Sequence, residues 1–240
     1  MMAWDTESTK QKIKGAALTE FTAHGPDGTT VERIAKRAKV NKERIYNYFG
    51  NKQELFKAIL HEELDQVAEV VGLTSLATED IGDYAGRMYD YHRDHPDLLR
   101  LLRWESLTID GEVPHEEYRR DHYTFKANAV RAGQEAGAVT DDIDAAYLVL
   151  FILAIVGWWS AMPQVSRMLC GEPTEEEHRK RRAAVVEAAR RLGNPHCKSD
   201  KSETPLLVRG LTRLIRRACS LNSRAPHRHY ASRSPAETQS

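Results

Sequence analysis

The sequence predicts an all-α protein, with a small trio of helices at the N-terminus and a larger helical body behind it. Three observations carry this. Apolar residues recur at spacings of three and four in segment after segment. Cap residues or prolines precede these stripes and glycines follow them. No run alternates apolar and polar residues in the two-residue period of a half-buried strand. At 240 residues, 41% of them apolar, the chain has material for one large or two modest domains with a buried core.

From about Thr6 to His24 the stripe Ile13, Ala16, Ala17, Phe21 gives a first helix, which Gly25-Pro26-Asp27-Gly28 should end. The stretch Thr29 to Phe56, TTVERIAKRAKVNKERIYNYFGNKQELF, then reads as two short helices around a tight turn. Val31, Ile34, Ala35 and Ala38 share one face of a helix starting near Thr30, with Thr29 as N-cap and Glu32 completing a capping box. Lys39 and Val40 supply the turn, and Asn41 caps a second helix from Lys42 to about Tyr48. Ile45 and Phe49 point inward there, leaving Lys42, Glu43, Arg44, Tyr46 and Asn47 on a polar, mostly cationic outer side. Braced by a helix carrying Arg33, Lys36 and Arg37, this is the build of a helix-turn-helix that reads the DNA major groove.

The strings T-x-x-x-I-A-x-x-A-x-V from Thr30 to Val40 and I-Y-N-Y-F-x-N-K-x-E-L-F from Ile45 to Phe56 closely resemble the DNA-binding segment of the tetracycline-repressor (TetR) family of bacterial regulators. With the preceding helix, the resemblance covers about residues 6–60. It implies a three-helix DNA-binding domain, a larger helical ligand-binding and dimerisation domain, and a homodimer that leaves its operator when a small molecule binds. It also implies that Tyr48 and Lys52 contact phosphate. Thr29 and Thr30 offer hydroxyls and helix-start N–H groups to phosphate as well. Arg44, with Lys42 second, is the candidate to reach base edges. Glu43 would accept from a cytosine amino group or tie down Arg44 or Lys39. Glu43 and Arg44 stand where the family usually has small residues or Ser/Thr, which bears on the operator sequence.

Asn51 reads as the cap of a long connecting helix with the stripe Leu55, Phe56, Ile59, Leu60, Leu64, Val67 and Val71. Helices follow at 79–94, 97–109, 115–136, 142–162 and 175–192. The domain division is therefore 1–50, 51–194 and a basic tail at 195–240. Ala145 to Ser166 is a run of uncharged residues, but only Ala145 to Trp159 is strongly apolar, too short for a bilayer span of ~20 residues. A helix apolar on all sides must be buried on all sides, which favours packing against a second copy, with 175–192 as its companion.

The body's aromatic residues suggest an apolar or aromatic small-molecule effector. The candidate lining residues are Tyr84, Met88 and Tyr91, then Trp104 and Tyr123, then Tyr147, Phe151 and Trp158; each taken singly is also explained by core packing. Glu112 to His115 and Glu175 to His178 both show the Glu-x-x-His spacing of helical metal sites. Pro114 puts the first at a helix start, and the second opens a charged, exposed turn. His92 and His95 read as a solvated surface pair, and no cofactor, metal or catalytic arrangement is indicated. Residues 1–57 carry 11 Lys/Arg against 7 Asp/Glu, residues 58–194 carry 15 against 25, and residues 195–240 carry 9 against 3. A basic head on an acidic body suits phosphate binding at one end. Cys170, Cys197 and Cys219 lack metal or disulfide spacing, and MMAWDTESTKQK lacks a secretory apolar run, so a cytoplasmic location is expected. The tail mixes Ser, Pro, Arg and His, the composition of a disordered segment, with a basic amphipathic stripe at Leu207, Leu211, Leu214, Ile215 and Ala218. The expected function is a ligand-released homodimeric repressor on double-stranded DNA, the alternative being a DNA-binding regulator that works through a protein partner without a small-molecule effector.

Overall fold

The computed structural model describes residues 2–108 and 113–195, and every regular element among them is a helix. The expectations for Glu112, Cys197, Cys219 and the tail stripe lie outside the described residues. The first helix, α1 (Met2–Gly28), is broken at Gly25, whose backbone turns to φ 72 and ψ 170. Gly25 is required twice over: the positive φ disfavours any side chain, and a Cβ built there would stand 2.7 Å from the Trp104 ring. The helix α2 (Val31–Ala38) follows, capped by Thr30 and not by Thr29: the Thr30 hydroxyl accepts from the Arg33 N–H at 3.3 Å. Thr29 faces the interior instead, 1% exposed.

The turn to α3 (Lys42–Phe49) is made by Lys39 in the left-handed conformation (φ 56, ψ 44) and by the Val40 N–H donating to the Ala35 carbonyl at 3.0 Å. Asn41 stands at the N-cap as expected, but its side chain makes no capping bond. The first turn of α3 instead closes through the Arg44 N–H on the Asn41 carbonyl at 3.1 Å. Asn51 does cap α4 (Lys52–Val70), accepting from the Glu54 N–H. The first half of α4 is fully committed to the N-terminal core: Leu55, Phe56, Ile59 and Leu60 are buried, and Phe56 meets Phe21 edge-to-face at 5.3 Å. Such an aromatic pair adds ~0.5–1.5 kcal/mol to the burial itself.

The body is built from α5 (Ile81–Asp94), α6 (Pro96–Thr108), α7 (Glu116–Glu135), α8 (Ala145–Ala161) and α10 (Glu175–Gly193), with a short α9 (Pro163–Cys170) between the last two. The sequence patterns did not reveal α9, because its segment carries no apolar stripe of its own beyond Val165 and the exposed Met168 and Leu169. Its helical start is set by Pro163 at the first turn. Packed by α5, α6, α7 and α10, α8 buries Leu148, Val149, Ile152 and Val156. Its opposite side leaves Tyr147, Leu150, Phe151 and Trp158 exposed. Among the described residues no single helix is long and apolar enough to cross a membrane; α8 and α9 qualify only as a pair, and they are bent by 84°. Gly86 lets α10 lie against α5, where a Cβ would stand 3.0 Å from Val186 Cγ2. Ion pairs from Arg182 to Asp90 and from Arg190 to Asp80 and Asp83 rim that contact.

Candidate nucleic-acid interface and effector cavity

Ile45 anchors α3 with no exposure at all, and this fixes which side of the helix looks outward. Lys42, Glu43, Arg44, Tyr46 and Asn47 are exposed, as the sequence pattern predicts, and Tyr48 is half-buried beside them. Three contacts organise this face. Arg44 Nη1 donates to the Thr9 hydroxyl of α1 at 3.4 Å, Lys42 approaches Glu32 at 3.6 Å, and the Lys10 ammonium lies 5.9 Å over the Tyr48 ring. Among the described residues Glu43 forms no ion pair, so it does not tie down Arg44 or Lys39 in the free protein.

Behind the reading helix lies a polar anchor that the sequence patterns did not single out. Glu20 of α1, 3% exposed, accepts from the Thr29 hydroxyl at 3.0 Å and from Arg37 Nε at 2.8 Å, and pairs with Arg33 at 3.0 Å. Burial alone would raise its pKa, but the hydrogen bonds from Arg37 and Thr29 and the Arg33 charge hold it below the usual carboxylate range. This corrects the expectation for Thr29, whose hydroxyl is bound inside and does not face a phosphate. The half-exposed Arg33 guanidinium also braces α1 against α2. Lys52 Nζ donates to the Thr29 carbonyl at 3.1 Å, which holds its ammonium at the start of α4, between the base of α2 and the end of α3.

The body holds a partly open cavity of about 210 Å³. Its walls are Leu64, Val67 and Ala68 of α4, Met88 and His92 of α5, Leu98, Leu99 and Leu102 of α6, and Leu153 of α8. The α7 wall is polar: Tyr118, Arg119, His122, Tyr123 and Lys126 line it, with Asp65 of α4 opposite. Of the candidate lining residues, Met88 and Tyr123 reach the cavity and the others do not. Tyr84 and Tyr91 are buried in the core without lining it. Trp104 packs on Gly25 and donates to the Thr22 carbonyl at 3.4 Å, because α6 turns that side toward α1. Tyr147, Phe151 and Trp158 lie on the exposed side of α8, away from the cavity.

The polar residues of the wall are mostly matched. Arg119 makes a two-pronged ion pair with Glu105, at 2.7 and 3.1 Å, and both side chains are nearly buried. Asp65 accepts from the Tyr118 hydroxyl at 2.8 Å and faces His61 at 3.4 Å. Burial pushes the Lys126 ammonium below its ordinary pKa. His92 is not the solvated surface residue that its sequence context suggests; it is buried, and burial pushes its pKa down to about 4. His95 stacks on Tyr91 instead, at 4.4 Å. Nor do Glu175 and His178 converge: Glu175 reaches Arg93 at 3.6 Å, and His178 Nδ1 meets the Tyr89 hydroxyl at 3.0 Å. No group of three or more potential metal ligands occurs among the described residues.

Residues 13–59 match the family described as bacterial regulatory proteins, tetR family, and residues 80–191 match the tetracyclin repressor-like, C-terminal domain. The chain is 43% identical over 172 residues to the HTH-type transcriptional repressor SCO4008 of Streptomyces coelicolor, covering 71% of this chain and 88% of that one. It is 26% identical over 170 residues to the HTH-type transcriptional repressor NicS of Pseudomonas putida, covering 66% of this chain and 79% of the relative. The crystal structure of SCO4942 from Streptomyces coelicolor superimposes with a TM-score of 0.67 at 29% identity, over 78% of this chain and 98% of that one. A tetR-family regulator from Marinobacter aquaeolei gives 0.61 at 20% identity, over 78% of this chain and 98% of that one. With an exposed cationic reading helix at one end of such a fold and repressors as its relatives, this chain belongs to the TetR family and is a DNA-binding transcription regulator, not an enzyme.

Proposed function

We infer that the protein is a cytoplasmic homodimeric repressor that binds a palindromic operator through α3 and leaves it when an apolar or aromatic small molecule fills the body cavity. The observation that carries this is the split character of α3: Ile45 locks one side into the core while Lys42, Glu43, Arg44, Tyr46 and Asn47 stand exposed on the other. Thr30, Tyr48 and Lys52 serve phosphate, and Asn41 marks the entry of the reading helix. Selection of binding sites from a random DNA pool should return an inverted repeat with half-sites about one helical turn apart. Recovery of a single unrepeated motif would contradict the dimeric reading.

The second copy is suggested by the outward side of α8. Tyr147, Leu150, Phe151 and Trp158 follow helical spacing and are each between 45% and 62% exposed, a strip of the kind that marks interfaces. A groove between Trp158 and Trp159 of α8 and Ala184 and Ala188 of α10 continues it. Sedimentation of the full chain at micromolar concentration should give twice the chain mass, and Tyr147→Asp combined with Phe151→Asp should shift it toward monomer. A clean monomer for the parent chain would sink the interface.

Release follows from which helices touch both sites. The cavity wall takes Leu64, Val67 and Ala68 from α4 and Leu98, Leu99 and Leu102 from α6. The same α4 holds Leu55 and Phe56 in the DNA-binding core, and the same α6 lays Trp104 on the break of α1. An effector that prefers the arrangement with these helices spread lowers operator affinity by that preference alone. Adding an effector should therefore change Trp104 fluorescence and operator affinity together, and Trp104→Phe should remove the optical change. Effector binding with operator affinity unmoved would favour regulation through a protein partner.

A further inference from the structure

Four buried side-chain polar atoms lack a hydrogen-bond partner among the described residues: His61 Nδ1, Tyr84 Oη, Tyr91 Oη and His92 Nδ1. Folded proteins rarely leave such atoms unmatched. Of the four residues, only His92 lines the cavity; it is 6% exposed, its Nδ1 is sealed off, and its Nε2, which is not, forms no hydrogen bond among the described residues either. The same cavity wall is apolar at Met88, one turn earlier on α5, at Leu98 and Leu102 of α6, and at Leu153 of α8. The charged members of the wall are largely taken, Arg119 by Glu105 and Asp65 by Tyr118 and His61.

We propose that the effector is an apolar compound bearing a single hydroxyl group, an alcohol or phenol, which hydrogen-bonds to His92 while its hydrocarbon body fills the rest of the cavity. This rests on the reading of the cavity as the effector site. A neutral imidazole has one donor and one acceptor nitrogen, and its tautomer is set by what it meets. A hydroxyl both donates and accepts, so it satisfies His92 in either tautomer, whereas an ether or ketone can only accept. The imidazole is neutral in the physiological range, since burial pushes its pKa down to about 4. It therefore offers no counter-charge to an ionised ligand group, and that group would give up its hydration against an apolar wall. The competing reader of charge is Lys126, which has no ion-pair partner among the described residues and stands on the α7 wall.

Calorimetric titration of the full chain with 4-butylphenol, butylbenzene and 4-butylbenzoate separates these cases. Butylphenol should bind about ten-fold more tightly than butylbenzene, the size of one hydrogen bond to a buried neutral group. His92→Leu should bring the phenol down to the affinity of butylbenzene, whose continued binding shows that the cavity survives the substitution. His92→Gln, which keeps hydrogen-bonding capacity, should retain most of the difference. Operator release should rank the three compounds in the same order. Equal binding of butylphenol and butylbenzene by the parent chain, or a preference that persists in His92→Leu, overturns the proposal and leaves the cavity reading standing. Tightest binding of 4-butylbenzoate, lost in Lys126→Met, overturns it in favour of an anionic effector. Failure of all three to bind overturns the cavity reading itself, and the proposal with it.

Discussion

Arg119→Ala is expected to lower the unfolding free energy by about 3–5 kcal/mol, measured by denaturant titration at fixed protein concentration. The side chains of Arg119 and Glu105 are 14% and 11% exposed, and their two-pronged contact joins α7 to α6 across the edge of the cavity. Removing the guanidinium leaves the Glu105 carboxylate in a low-dielectric site with its partner gone, so the cost is that of an unmatched buried charge and not the net worth of the pair. Glu105→Ala should cost a similar amount for the mirror-image reason. The double replacement Glu105→Leu with Arg119→Met should recover much of the loss, since two apolar chains of similar volume need no counter-ion. On the same helix, Arg120 and Glu116 form an exposed pair four residues apart. Arg120→Ala should change stability by only ~0.3–0.5 kcal/mol. Equal effects at positions 119 and 120 would show that the Glu105 contact is solvated in solution.

That pair also marks the boundary of what the sequence made legible. The helices, their order and the outward side of α3 follow from apolar spacing and caps, because burial of an apolar stripe is a local signal. Buried polar groups are a weaker one, present here only as a break in an apolar stripe. Glu20 occupies the position that Ile13, Ala16 and Ala17 define as core-facing, and Glu105 does the same after Leu98, Leu101 and Leu102. A carboxylate inside an apolar stripe announces a partner without saying which one. Those partners, Arg33, Arg37 and Thr29 in one case and Arg119 in the other, come from other elements, and only the tertiary arrangement supplies them.

The lining of the cavity is legible only in part, at Met88 and Tyr123, for a related reason. Aromatic residues were expected to line it, yet a large aromatic side chain is as useful to a core or to an interface as to a pocket. Tyr84 and Tyr91 went to the core, Trp104 to the α1 contact, and Tyr147, Phe151 and Trp158 to the outside of α8. The α7 face that does line the cavity runs Arg119, His122, Tyr123 and Lys126, a polar stripe at helical spacing that a search for apolar residues passes over. Similarly, the turn at Lys39 uses a left-handed backbone in a lysine, for which no residue-type signal exists.

Arg44→Ala is expected to weaken binding to the preferred operator by ~1–3 kcal/mol per half-site, and so by roughly 2–6 kcal/mol where two protomers each lose the contact. Arg44 sits in the first turn of α3, exposed, and its 3.4 Å contact with Thr9 is long enough to be exchanged readily for a base edge. A guanidinium pairs bidentately with guanine N7 and O6, so the loss should fall at one base pair in each half-site and flatten preference there. Arg44→Lys keeps the charge without the planar fork, and should recover affinity for nonspecific DNA more than it recovers that preference. Lys52 acts differently. Held by the Thr29 carbonyl at 3.1 Å, its ammonium is expected to meet the DNA backbone at a fixed place whatever the sequence. Lys52→Ala should weaken every operator variant alike and reduce the salt dependence by about one counterion per protomer. Measured across a panel of single-base operator variants at several salt concentrations, the two substitutions should therefore differ in pattern more than in size. If Arg44→Ala lowered affinity by the same factor for every sequence, Arg44 would be a phosphate contact, and base reading would fall to Lys42, Tyr46 or Asn47 on the same exposed face.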